Sequence, residues 1–139
     1  MNPELQDKLY EKYPDLFREK DLPMSQTCMC WGLECGDGWY NLIDSACAII
    51  SHEIKYNKCP PVQFTQVKEK FGGLRIYYAG GNDFISGVIS TVGYLSEMTC
   101  ETCGNPGKQT NEGWIRTLCE PCREKRNASR ATSFDRGEG

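Results

Sequence analysis

The sequence predicts an α+β protein: a small antiparallel sheet packed with amphipathic helices, plus a C-terminal treble-clef or zinc-ribbon-like Zn(Cys)4 module. Three observations carry that prediction. Apolar residues recur at helical spacing in three stretches ahead of residue 99. Two runs, Val62 to Lys70 and Leu74 to Tyr78, flank Phe71-Gly72-Gly73 as strands flank a hairpin turn. Cys100-Glu-Thr-Cys103 and Cys119-Glu-Pro-Cys122 are two Cys-x-x-Cys pairs with fifteen residues between them, the spacing of a tetrahedral four-thiolate site.

The first helix is expected from Pro3 to about Tyr13, capped by Asn2, with Leu5, Leu9 and Tyr13 on one face and Pro14 ending it. Residues 15–36 mix polarities around Pro23 and the cluster Cys28, Cys30 and Cys35, which suits an irregular, partly buried loop. Asp37 is placed to cap a second helix running to about Tyr56. Its stripe is Trp39, Ile43, Ala46, Ile50 and Ile54, with Tyr40, Asp44, Ser51 and Lys55 opposite. After Pro60-Pro61 comes the hairpin. Gly80-Gly81-Asn82-Asp83 closes it, and Phe84, Ile85, Val88, Ile89, Val92, Leu95 and Met98 mark a third helix. The expected organisation is an α+β domain over 1–98, a zinc module over 99–127 and a polar, disordered tail over 128–139.

Within the zinc module, Gly104 suits the tight turn after the first cysteine pair. Asn105-Pro106-Gly107 and Asn111-Glu112-Gly113 are turn signals, and Trp114 to Leu118 reads as a short strand. Pro121 then fits the first turn of a helix, so the order is knuckle, hairpin and ligands at a helix start. One structural zinc ion held by Cys100, Cys103, Cys119 and Cys122 would carry about two negative charges with its thiolates, and Lys108, Arg116, Arg123 and Lys125 are near enough in sequence to offset them. The alternative use of the four sulfurs is two disulfides.

At 139 residues the chain is one domain, or one small domain with an appended module. Its hydrophobic content of 39% and charged content of 25% are those of a soluble globular protein, with no apolar run near the roughly 20 residues that span a bilayer. Nine cysteines without an export signal point to a reducing cytoplasm. The net charge of −3 argues against a general nucleic-acid binder and leaves local patches open.

Outside the zinc cysteines, chemistry is sparse. Cys28, Cys30 and Cys35, with Cys47, Cys59 or His52, are candidates for a second metal or for buried core thiols. His52, the only histidine, falls on the polar side of the second helix, and an HNH-type nuclease would need histidines at the zinc hairpin. Asp37, Asp44 and Glu53 suit a solvated helix face. Gly72-Gly73 and Gly80-Gly81 suit turns, and no phosphate loop is present. No catalytic residue is assigned, and the protein is read as no enzyme. The hairpin is the most suggestive surface: strand alternation puts Lys68, Lys70, Arg75 and Tyr77 on one face and leaves Val67, Leu74, Ile76 and Tyr78 for the core. Such a face suits an anionic ligand or an acidic partner, or serves solubility alone. A second basic region, Arg116, Arg123, Lys125, Arg126 and Arg130 near Trp114, is diluted by Glu101, Glu112, Glu120 and Glu124.

The stretches Thr27 to Asp44 (TCMCWGLECGDGWYNLID), Gln66 to Tyr78 (QVKEKFGGLRIYY) and Gly113 to Cys119 (GWIRTLC) resemble a family of small tailed-bacteriophage and prophage proteins, and the likeness covers nearly the whole chain. The resemblance implies a viral accessory protein in the cytoplasm of an infected bacterium. Proteins of that kind act by binding a host macromolecule, to modulate it, inhibit it or counter a defence. A host protein is the expected partner; a nucleotide, as for a signalling-nucleotide sponge, and a nucleic acid bound through the treble clef are the alternatives, and no membrane is implied.

Overall fold

The computed structural model describes residues 1–111 and 113–138, with side chains from 131 onward outside that description. Helix α1, Pro3–Lys12, starts as its residues dictate: Asn2 Oδ1 accepts the Glu4 N–H at 2.7 Å, and Pro3 stands where an N–H has no intrahelical partner. Its Leu9 is buried, and the turns that follow bury Leu16 and Phe17, the latter edge-on to Phe64 at 5.2 Å between ring centroids. Residues 15–36 are less irregular than expected. They contain a 3-10 turn at Met29–Trp31 and a two-residue strand β1, Leu33–Glu34.

Asp37 does not cap the second helix. It opens a 3-10 turn, Asp37–Trp39, and its carboxylate accepts the Asn2 N–H at 2.6 Å; helix α2, Tyr40–Tyr56, follows with no side-chain cap. The predicted stripe is otherwise sound: Trp39, Ile43, Ala46 and Ile50 are fully buried, joined by Cys47, while Ile54 is half-buried. Asp44, expected on the open face, is half-covered and receives Lys12 Nζ at 2.6 Å and the Tyr13 hydroxyl at 2.9 Å. Burial works to raise this carboxyl, but the two hydrogen bonds outweigh it and hold it below its usual 3.8. A group depressed on folding stabilises above its unfolded pKa and loses that contribution as pH falls through the folded one. Asp44→Asn is therefore expected to lower the melting temperature slightly near neutral pH, and the difference from wild type should shrink as the pH of a series of thermal melts falls through the folded-state pKa.

Strands β2, Val62–Lys70, and β3, Gly73–Gly80, form the expected antiparallel hairpin. Its loop is Phe71-Gly72, with φ of +52° and +80°, the pattern of a type I′ turn. The sheet is mixed rather than antiparallel, because β1 pairs parallel with β2 at Leu33↔Val67 and Glu34↔Lys68, giving the order β1-β2-β3. A bulge between Phe64 and Gln66 shifts the register, so Val62, Phe64 and Val67 all reach the core despite their uneven spacing. Beyond β1, the same edge of β2 is closed by irregular chain: Phe64 N–H donates to Leu16 O at 2.8 Å, and Thr27 Oγ1 donates to Thr65 O at 3.3 Å.

Helix α3, Asp83–Ser96, begins at Asn82, whose side chain accepts the Ile85 N–H. It buries Ile85 and Val92, with Val88 and Ile89 half-buried against the core, and leaves Phe84 and Leu95 exposed; Met98, expected on this helix, lies beyond its end and is exposed. Strands β4, Lys108–Gln109, and β5, Thr117–Leu118, make a minimal antiparallel pair. Of the predicted strand 114–118 only its end is strand, and Trp114 is 72% exposed. In the turn Asn111 to Gly113, Glu112 lies outside the described residues. Helix α4, Glu120–Glu138, continues through the segment expected as a disordered tail, where no glycine or proline intervenes until Gly137.

Candidate metal centre and binding face

The first cysteine pair sits on a knuckle. Cys100 N–H donates to Asn105 O at 2.7 Å and Gly104 N–H to Cys100 O at 2.9 Å, with Gly104 at φ +86°, and Thr99 bridges to Pro106. The β4–β5 pair then returns the chain so that Cys119 directly follows β5 and Cys122 lies in the first turn of α4. All four sulfurs lie within 4.8 Å of one another, with Cys103 and Cys119 at 3.5 Å. Four sulfurs held about 2.3 Å from one tetrahedral ion stand about 3.8 Å apart, so the donor set fits a single metal. All nine cysteines are free thiols, which sets aside the disulfide alternative. Burial alone would raise the Cys100 thiol, but N–H groups of Cys119, Cys103 and Thr102 outweigh it and bring it down to about 6. Cys122 is pushed up to about 12, first by its hydrogen bond with Cys119 and then by burial, as expected where four sulfurs compete to hold a thiolate.

The knuckle is joined to the rest of the chain by Glu101, which stands between two ligands and is only 4% exposed. Its Oε1 accepts Arg116 Nε–H at 3.0 Å and its Oε2 accepts Gly36 N–H at 2.9 Å. Its carbonyl accepts Gly38 N–H at 2.7 Å, and its N–H donates to Thr117 O at 2.9 Å. Nearby, Trp39 Nε1–H donates to Thr99 O at 2.9 Å. The backbones approach so closely that a Cβ on Gly36 or Gly38 would overlap the carbonyl oxygens of Glu101 and Cys100. A second tie reaches the hairpin: fully buried Thr117 donates its hydroxyl to Gly72 O at 2.6 Å, and Gln109 Nε2 to Phe71 O at 3.3 Å. Glu101 and Thr117 were not singled out from sequence. The signal for the seam was the pair of glycines in Cys35-Gly-Asp-Gly-Trp39, which had no function until the knuckle was placed against them.

The upstream cysteines do not assemble a site. Cys28 is exposed, Cys30 donates to Thr27 O at 3.5 Å, and burial pushes the Cys35 thiol up to about 12. Cys47 and Cys59 are buried and raised by the same cause. Among the described residues, no second group of three or more metal-ligating side chains converges. His52 is exposed, as its helix position predicts, with its ring 4.7 Å from that of Tyr56.

On the hairpin, register places Lys68 opposite Arg75, Gln66 opposite Tyr77 and Lys70 opposite Gly73, so Lys68, Lys70, Arg75 and Tyr77 share one face. Val67, Leu74 and Ile76 are buried behind it and Tyr78 is half-buried. Lys68 Nζ lies 5.8 Å from the Tyr77 ring centroid, and Lys70 Nζ 5.7 Å from that of Phe71, which is 63% exposed. Glu34, level with Lys68 on β1, adds an acid that sequence reasoning missed. The other basic region is largely occupied within the fold: Arg116 by Glu101, Arg126 Nη1 by Thr110 Oγ1 and Trp114 O, each at 3.4 Å, and Arg123 by Glu120 at 3.9 Å.

Comparison with protein-family models, curated proteins and solved structures gives no match. Among the described residues, no helix is long and apolar enough to cross a membrane.

Proposed function

We propose that this chain is a non-enzymatic binding protein, stabilised by one zinc ion in a treble-clef-like four-cysteine site, that engages a host macromolecule through the basic, aromatic face of its β2–β3 hairpin. The resemblance to tailed-phage proteins gives the setting, a bacterial cytoplasm, and the role, modulation or inhibition of a host component. The observation that carries the reading is the Thr117 hydroxyl on Gly72 O: the tip of the hairpin is fastened to the strand that delivers Cys119. The metal would thus hold the binding face rigid, which lowers the ordering cost of association. A broad two-stranded face favours a macromolecule over a mononucleotide, since small ligands take concave sites. The nucleic-acid reading is weaker, because Arg116 and Arg126 serve the fold and the net charge is −3.

The test is the double reversal Lys70→Glu/Arg75→Glu. Surface substitutions of this kind change stability by about 0.5 kcal/mol or less each, so the melting temperature should hold. Partner captured from a bacterial lysate by the wild-type protein should be lost or bound at least about tenfold more weakly, with the difference shrinking at 1 M salt, where charges are screened beyond about 3 Å. Capture equal for wild type and variant would return these side chains to solubility.

A further inference from the structure

We propose that β3 binds an extended acidic peptide by strand addition, in the groove between its free edge and α3, the peptide alternating apolar and acidic residues. The inference rests on the binding reading above and supplies its mode and the chemistry of the partner.

The order β1-β2-β3 leaves one side of β3 without a strand. The two-residue loop makes Lys70 and Gly73 a hydrogen-bonded pair, so Glu69↔Leu74 and Val67↔Ile76 are the alternate pairs, and Leu74 and Ile76 turn both N–H and C=O away from β2. Leu74 shows that direction, for its N–H goes to Ser96 Oγ at 2.9 Å. The next outward pair of backbone groups, on Ile76, meets a groove of about 350 Å³ lined by Arg75, Ile76 and Tyr77 on the strand and Ile89, Gly93 and Tyr94 on the helix. Gly93 keeps it open: a Cβ there would touch only Leu74 O, at 3.5 Å, and any longer side chain would project into the space.

A strand added at this edge sends alternate side chains to opposite faces. On one side it meets Ile89, Gly93 and Tyr94, which take apolar residues. Between Asp83 and Ser96 α3 carries no lysine or arginine, so an acid finds no partner there; Glu97 instead reaches the Arg75 side, its Oε1 and Arg75 Nη1 both within 3.4 Å of where a Gly73 Cβ would stand. On the other side it meets Arg75 and Tyr77, with Lys68 and Lys70 behind them on the same face. That side takes the acids.

The probe is a blocked, fluorescent peptide of alternating valine and glutamate, about 8 residues long to match the strand. Its controls are the valine–lysine counterpart and a valine–glutamate peptide N-methylated at alternate amides. Full-length protein should bind the probe at least about tenfold more tightly than either control. Gly93→Leu should abolish the preference, and Arg75→Glu should transfer it to the lysine peptide. Equal binding of all three peptides, or no measurable binding of the probe, overturns the proposal, and the methylated control decides the point even if Gly93→Leu does not fold. A concentration-dependent dimer that Gly93→Leu dissociates would assign the edge to a second copy and overturn it as well. Loss of a captured partner on Lys70→Glu/Arg75→Glu but not on Gly93→Leu would leave the basic face standing and remove strand addition alone; capture that neither variant disturbs removes both.

Discussion

Stripping metal from the four cysteines, or replacing Cys100 by serine, is expected to lower the melting temperature by well over 10 °C and to loosen residues far outside the C-terminal hairpin, since structural zinc contributes its binding energy directly to folding. The reach of the effect follows from Glu101. Its position is set by the ligands on either side of it, and four of its polar atoms are bonded to Gly36, Gly38, Arg116 and Thr117. When the knuckle opens, the N–H groups of Gly36 and Gly38 lose their acceptors, at about 1–3 kcal/mol for each that stays buried and unsatisfied. Metal analysis of protein purified without chelator should return one equivalent of zinc. Chelation should release amides of residues 36–39 and 72 to hydrogen exchange along with those of the knuckle. Less than half an equivalent of any metal, or exchange confined to residues beyond 99, would refute this account.

Trp39→Ala should be the most damaging substitution outside the ligands. The side chain is fully buried and its indole N–H reaches Thr99 O, so the change removes both core packing and a tie to the knuckle. Deleting a buried tryptophan costs about 3–5 kcal/mol, a large part of the roughly 5–15 kcal/mol by which domains are stable. Trp39→Phe keeps most of the packing and orphans one carbonyl, for about 1–2 kcal/mol. Urea unfolding measures both, and a chelator titration should show the alanine variant losing its metal more readily. A cost below about 1 kcal/mol for Trp39→Ala would mean that the two parts of the chain are stable independently.

The four cysteines were legible because Cys-x-x-Cys spacing is local chemistry, and the hairpin because alternation and a glycine turn are local too. What the sequence hid was long-range. A two-residue strand such as Leu33–Glu34 has no period to detect, and its parallel pairing made the sheet mixed. Unbroken alternation would send Phe64 and Val67 to opposite faces, and the bulge at Thr65 turns both to the core. Glu101 looked like one acid among several diluting a basic region, and only the approach of Gly36 and Gly38 shows why it is buried. Asp37 was a good cap by composition, yet Asn2 was closer to its carboxylate than the helix it precedes. The basic face of the hairpin followed from alternation alone, whereas the groove beside it depended on where α3 came to lie.

The seam between the knuckle and residues 36–38 joins groups 65 positions apart, and that separation orders events during synthesis. A ribosome adds about 5–20 residues each second, so the socket formed by Gly36 and Gly38 waits several seconds for the cysteines that complete it. During that interval the hairpin has emerged while Thr117, its anchor, has not. The nascent chain therefore carries an unfastened hairpin tip and an unfilled seam until residues 100–119 are available. If the four cysteines hold a metal, its capture follows the emergence of Cys122, after the helices and hairpin upstream have formed.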